Sequence, residues 1–169
     1  LAIIPIIGLI FIISTPESET NLSNYDKIES SNSVYQEPDV LSSQYSLQEC
    51  MGSAKCFIGT VTKVVDGDTV HVDDQSIRFA LASAPELKGY GGLDSKNFIE
   101  TICPVGSTVL VDEDDGQIDG SYGRIIGKVF CQGIILNERI LEEELGEIDT
   151  YHCTQSEFSD DSWAKKYGC

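Results

Sequence analysis

Positive charge is scarce in this 169-residue chain: 11 lysines and arginines face 28 aspartates and glutamates, for a formal net charge of −17. That balance excludes the broad basic footprint by which a protein gathers a polyanion from long range. Any bound polyanion must instead be held by local arginines or through a cation. An acidic surface of this kind also suits a saline habitat, where charges more than about 8 Å apart are screened. No Cys-x-x-Cys pair occurs, and only His152 sits beside a cysteine, so a zinc site is poorly supported. The apolar run at the front, residues 1–13, is too short to cross a bilayer alone, rising about 20 Å as a helix against ~30 Å of hydrocarbon. No Ala-x-Ala cleavage site follows that run, which favours an uncleaved anchor over a cleaved export signal.

What is present divides the chain into three parts. Residues 1–14 read as the remnant of a signal or membrane anchor. Residues 15–49 are rich in Ser, Asn, Glu and Gln with scattered aliphatics, a composition that buries too little to fold and reads as a flexible acidic linker. Residues 50–169 carry the folded domain, of a size that supports one core. Its six cysteines, Cys50, Cys56, Cys103, Cys131, Cys153 and Cys169, form an even set that fits an oxidising, extracellular or cell-surface location. Fifteen pairings are open. Cys50–Cys56, Cys103–Cys131 and Cys153–Cys169 are the expected ones, each tying an irregular segment or the chain end to the domain.

Hydrophobic periodicity predicts strands over Phe57–Val65, Thr69–Asp73, Ile77–Ala82, Ser107–Val111 and Ile125–Cys131. A helix is expected from an Asp94 N-cap to Pro104. A second carries Leu136, Ile140, Leu141 and Leu145 and stops at Gly146. A third starts at a Ser159 cap, with Phe158 and Trp163 as a hydrophobic staple. Five strands with a helix inserted after the third suit an α+β architecture, the five-stranded OB-fold β-barrel with about three helices. The acidic run Asp112-Glu113-Asp114-Asp115 reads as a solvated hairpin loop, since it lacks EF-hand spacing. His71 and His152 read as isolated, and Tyr90 and Tyr151 as rim or core residues with a lesser prospect of stacking on a base.

Charged groups interrupt the strands at particular points. Asp66-Gly67-Asp68-Thr69 reads as a turn in which Gly67 takes a positive φ and the flanking carboxylates converge. In the next strand Ile77, Phe79 and Leu81 alternate to one face and Arg78 to the other. Pro85 then breaks the strand and leaves Glu86 in a loop at the rim.

These blocks, Val65-Asp66-Gly67-Asp68-Thr69, Ile77-Arg78-Phe79-Ala80-Leu81 leading to Pro85-Glu86, Tyr122-Gly123-Arg124 and Asn137-Glu138, stand in the order found in the staphylococcal nuclease (thermonuclease) family. Over roughly residues 55–150 the chain resembles that family, and its cysteines resemble the secreted, disulfide-bearing branch found in archaea and bacteria. The resemblance implies a calcium-dependent nuclease, an endonuclease-type hydrolase of DNA and RNA that works as a monomer. Glu86 is then the general base, Arg78 and Arg124 grip the phosphate, and Asp68 binds Ca²⁺ with help from Ser83 and the Ala84 carbonyl. Ser83 stands where the family usually has a second metal-binding aspartate, so the site loses a formal charge and calcium affinity falls. A nuclease-like binding module without catalysis is the second expectation.

Overall fold

A computed structural model describes residues 49–118, 120 and 122–169. Residues 1–48, which hold the segment expected to be an anchor remnant and nearly all of the expected linker, lie outside the described residues.

The chain forms a closed five-stranded β-barrel with three α-helices among the described residues, consistent with an OB-like α+β fold. Strands β1 (Cys56–Val64), β2 (Thr69–Val72) and β3 (Gln75–Phe79) make an antiparallel meander. A two-residue strand, β4 (Ala82–Ser83), precedes α1 (Gly92–Ile102). Then come β5 (Thr108–Glu113), β6 (Ile125–Cys131), the short β7 (Ile134–Ile135), α2 (Leu136–Glu142), β8 (Glu147–Ile148) and α3 (Ser162–Tyr167). Strand β1 pairs with β2 near its end and with β5 near its start, and a register shift between Val61 and Lys63 bends it between the two partners. Strands β5 and β6 pair antiparallel, and a parallel ladder between β3 and β6 closes the barrel.

The core follows the alternation in the sequence. Val61, Val70, Val72, Ile77, Val109, Val111 and Val129 are all fully buried, as are Leu136 and Ile140 from α2. One polar side chain sits inside it. The Asn137 side chain accepts from the Val129 N–H (3.0 Å) and donates to the carbonyls of Ala80 (2.9 Å) and Gly127 (3.1 Å), tying α2 to both strands at the barrel's closure. The three disulfides are those expected: Cys50–Cys56, Cys103–Cys131 and Cys153–Cys169.

Four local expectations are corrected. Helix α1 starts at Gly92 behind a left-handed Gly91 (φ 84°), and Asp94 lies in its first turn rather than capping it. The third helix starts at Ser162. Before it, Glu157–Asp160 form a 3₁₀ turn capped by the Ser156 hydroxyl, which accepts from the Phe158 N–H, so the Ser159 cap is absent. Phe158 and Trp163 are nonetheless both buried. Gly67 is not among the positive-φ residues; it is a glycine for want of room, because an added Cβ would lie 2.5 Å from the Ser95 Cβ and 2.7 Å from the Ala84 Cβ.

The acidic run, finally, is not a solvated loop: Asp112, Glu113 and Asp114 are buried. Asp112 Oδ2 accepts from the Met51 N–H (2.9 Å) and Glu113 Oε2 from Lys55 (3.3 Å), while Asp115 accepts from Ser53 and from Ala54 (2.6 Å). Asp114 accepts from Gly116, Gln117 and Glu157. These carboxylates fasten the Cys50–Cys56 segment and the C-terminal segment to the barrel. Burial pushes Asp112 above the usual carboxylate range, whereas the Ser53 and Ala54 N–H groups hold Asp115 below it.

Candidate functional site

The turn after β1, the first residue of β2 and the end of β3 build the centre of the site. Asp68 is 3% exposed, and its carboxylate is held from three directions. Oδ1 accepts from Arg78 Nη1 (2.5 Å) and from the Thr69 hydroxyl (2.9 Å), and Oδ2 accepts from the Ala84 N–H (2.7 Å). Burial raises the Asp68 pKa and the nearby Asp66 adds to the rise, while the Arg78 guanidinium and the Ala84 N–H oppose it. Asp66 itself accepts from the Asp68 N–H (3.1 Å), which fixes the turn. Arg78 reaches Asp68 because Thr69 and Arg78 are register partners on neighbouring strands. Its second nitrogen, Nη2, donates to the Ser83 hydroxyl (3.2 Å).

The residues singled out from the sequence thus fall into two groups. Asp68, Arg78, Ser83 and Ala84 are in direct contact. Glu86 and Arg124 join them by position. Glu86 lies three residues beyond Ser83 on the loop into α1, and its carboxylate is exposed, without a hydrogen bond or ion pair among the described residues. Arg124 immediately precedes β6. Arg78 pairs with Ile126 in the parallel ladder, so the pleat puts Arg124, two residues before Ile126, on the Arg78 side of the sheet. The Arg124 guanidinium carbon lies 6.0 Å from the centre of the exposed Tyr122 ring.

Calcium prefers several oxygen donors with negative charge. The candidates here are Asp68, Asp66, the Ser83 hydroxyl and the Ala84 carbonyl. Both Asp68 oxygens already accept from protein donors, Ser83 accepts from Arg78, and it is the N–H of Ala84 that faces the carboxylate. As arranged, these residues fit an arginine ion pair and not a calcium ion. A separate meeting of Cys50, Cys56 and Asp112 offers no thiolate to a metal, since the two sulfurs form a disulfide.

Sequence reasoning missed one pair. His152 is not isolated: its Nδ1 lies 2.8 Å from Asp149 Oδ2. The two stand at the ends of a 3₁₀ turn, Thr150–His152, which the Cys153–Cys169 disulfide anchors on one side. On the other side β8 pairs with β4, and the Asp149 N–H donates to the Leu81 carbonyl (2.9 Å). That pairing brings residue 149 alongside the chain just beyond Arg78. Arg78, Gln117, Ile126, Asp149 and His152 then line one small cleft of about 90 Å³. A larger depression of about 320 Å³ lies beside Ser83, Ala84 and Pro85, walled by Glu144 and Glu147. Tyr90 and Tyr151 are exposed, which excludes a core role for either.

No family model matches the chain. An uncharacterised protein of Bacillus anthracis is 30% identical over 100 residues, which cover 53% of this chain and 46% of that protein. The chain therefore spans less than half the length of this relative.

Proposed function

We propose that this protein is an exported phosphodiesterase of the staphylococcal nuclease type, hydrolysing DNA and RNA with low sequence specificity. The observation that carries the reading is the placement of Arg78 and Arg124 on one side of adjacent parallel strands, with Glu86 leaving the loop just past the Ser83 that Arg78 touches. Two forked guanidinium groups can hold a phosphate by charge-assisted hydrogen bonds that tighten as negative charge builds in the transition state. An exposed carboxylate without a partner is free to take a proton from water. In this mechanism water attacks phosphorus while giving its proton to Glu86; the bond from phosphorus to the leaving oxygen breaks, and that oxygen takes a proton from solvent. Three disulfides in one small domain support an oxidising compartment. Calcium is the metal this reading implies. Arg78 already holds two of its candidate donors, Asp68 and Ser83, so the hydrolysis is carried by the protein's own groups.

The test is digestion of single-stranded DNA and RNA, with and without added calcium. Glu86→Gln and Arg124→Ala are each expected to lower turnover roughly 10²- to 10³-fold, the scale of losing one transition-state donor. Full activity in either variant sinks the role assignment. The occupied Asp68 oxygens favour one second reading, a nuclease-like module that binds nucleic acid without cutting it. Retention of labelled DNA with no products, at any calcium concentration, would establish that reading instead.

A further inference from the structure

The cleft between Arg78 and His152 is not explained by the roles given to Arg78, Glu86 and Arg124. We propose that it is a binding subsite for one phosphate group of the substrate, with His152 as a contact residue and Asp149 as the residue that positions it. This inference rests on the phosphodiesterase reading for the identity of the substrate, but not for the binding event itself.

Hydrogen-bond capacity fixes the imidazole's tautomer. A carboxylate can only accept, so the 2.8 Å contact with Asp149 puts the hydrogen on His152 Nδ1 and leaves Nε2 as the free ring atom. Among the described residues Nε2 has no hydrogen-bond partner. The imidazole is half-buried, its ring packed edge-on against Tyr151 with centroids 4.9 Å apart. It lines the same cleft as Arg78, whose always-charged guanidinium supplies the fixed positive charge. The cleft is small, about 90 Å³, which suits a compact oxyanion. Gln117, which also lines the cleft, offers an amide that spends one contact on Asp114 Oδ2.

The charges facing His152 are Arg78, which the buried Asp68 already pairs, and Asp149 within the cleft, and Asp115 in the adjoining opening that His152 and Gln117 also line. With neutral imidazole that set carries one positive and three negative charges. An entering phosphate therefore needs a proton on the ring, and binding weakens as the pH rises through the histidine range.

The experiment follows the two histidines of the intact protein by NMR as pH is varied, in inorganic phosphate and in sodium chloride of equal ionic strength, without calcium. His71, on β2, lines no part of the cleft and is the internal control. Phosphate is expected to raise the His152 titration midpoint by about one unit, the scale of a close opposite charge, and to leave His71 unmoved. Asp149→Asn, with its fold checked by the amide spectrum, is expected to lose most of that response. Identical His152 curves in the two salts, or an equal shift of His71, overturn the subsite. An undiminished response in Asp149→Asn overturns the positioning role. DNA digestion run in parallel keeps the claims apart: phosphate binding without cleavage leaves the subsite and removes the nuclease, and cleavage without a His152 response does the reverse.

Discussion

Replacing Arg78 by methionine is the sharpest probe of the site's centre. The change keeps most of the side chain's length and removes two contacts, Nη1 to Asp68 and Nη2 to Ser83. Asp68, 3% exposed, is left with only the Thr69 hydroxyl and the Ala84 N–H. Removing one partner from a fully buried ion pair costs about 3–5 kcal/mol. Here the Arg78 side chain is 25% exposed and two hydrogen bonds survive, so the expected loss is about 2–3 kcal/mol, or about 8–12 °C in melting temperature for a domain of this size. The loss has a pH signature. Burial already raises the Asp68 pKa, and removing the guanidinium raises it further. The penalty belongs to the charged form, so it is present above the folded pKa and fades as the pH falls through it. Thermal melts of the wild type, Arg78→Met, Asp68→Asn and the double variant close a cycle. The double variant is expected to recover at least half of the Arg78→Met loss at neutral pH. A double variant no more stable than Arg78→Met, or a deficit unchanged on acidification, refutes the reasoning.

Asn137→Ala strands the Val129 N–H and the Ala80 carbonyl, leaves the Gly127 carbonyl only the Ala80 N–H, and is expected to lower stability by about 2–3 kcal/mol in urea denaturation; a change below about 1 kcal/mol would show that the barrel closes without it. Burial raises the pKa of Asp112 and Glu157 as well as Asp68, so their charging opposes folding as the pH rises above 3.8 for the aspartates and 4.5 for Glu157. Asp115 and Asp160 are lowered and act in the other direction, losing their contribution as the pH falls below 3.8. Melting temperature should therefore peak in the acid range near the ordinary carboxylate pKa values, and Asp112→Asn should flatten the decline as the pH rises above them. Ser83→Asp places a second carboxylate beside Arg78 and Asp68, and calorimetry is expected to report calcium binding that the wild type lacks. Calcium binding of equal strength in the wild type would overturn the reading that these residues fit an ion pair and not the metal.

The parts of the site that were legible in the sequence are those fixed by local chemistry. Strand alternation put Arg78 opposite Ile77 and Phe79, and it is the polar face of β3 that meets Asp68. Proline at 85 ended the pairing and left Glu86 exposed. The disulfides were legible to the extent that each ties an irregular segment or the chain end to the domain. What was not legible depends on partners distant in sequence or on turns without a period. Asp112 and Asp115 read as solvated because their acceptor capacity is met by N–H groups some 60 residues earlier, which no local pattern announces. The Asp149–His152 contact needs a 3₁₀ turn, and three residues carry no hydrophobic signature. Gly67 was read through its φ, the common reason for glycine in a turn; its actual reason, the approach of Ser95 and Ala84, exists only once α1 is packed.

The two halves of the site are coupled through one of the shortest strand pairings among the described residues. Strand β4 holds the Ser83 that receives Arg78, and β8 leads directly to Asp149; the two strands pair over only two residues each. Leu81, in a left-handed conformation at φ 58°, turns the chain between β3 and β4 and gives its carbonyl to the Asp149 N–H. A non-glycine residue held there stores strain that persists only while its surroundings enforce it. A ladder this short has little cooperative stability of its own, so it opens at a lower free energy than the barrel. Its opening would release Ser83 from Arg78 and move Asp149 and His152 in the same event. The barrel fixes where Asp68 and Arg78 meet, and the β4–β8 pairing sets whether an anion finds Arg78 and His152 together.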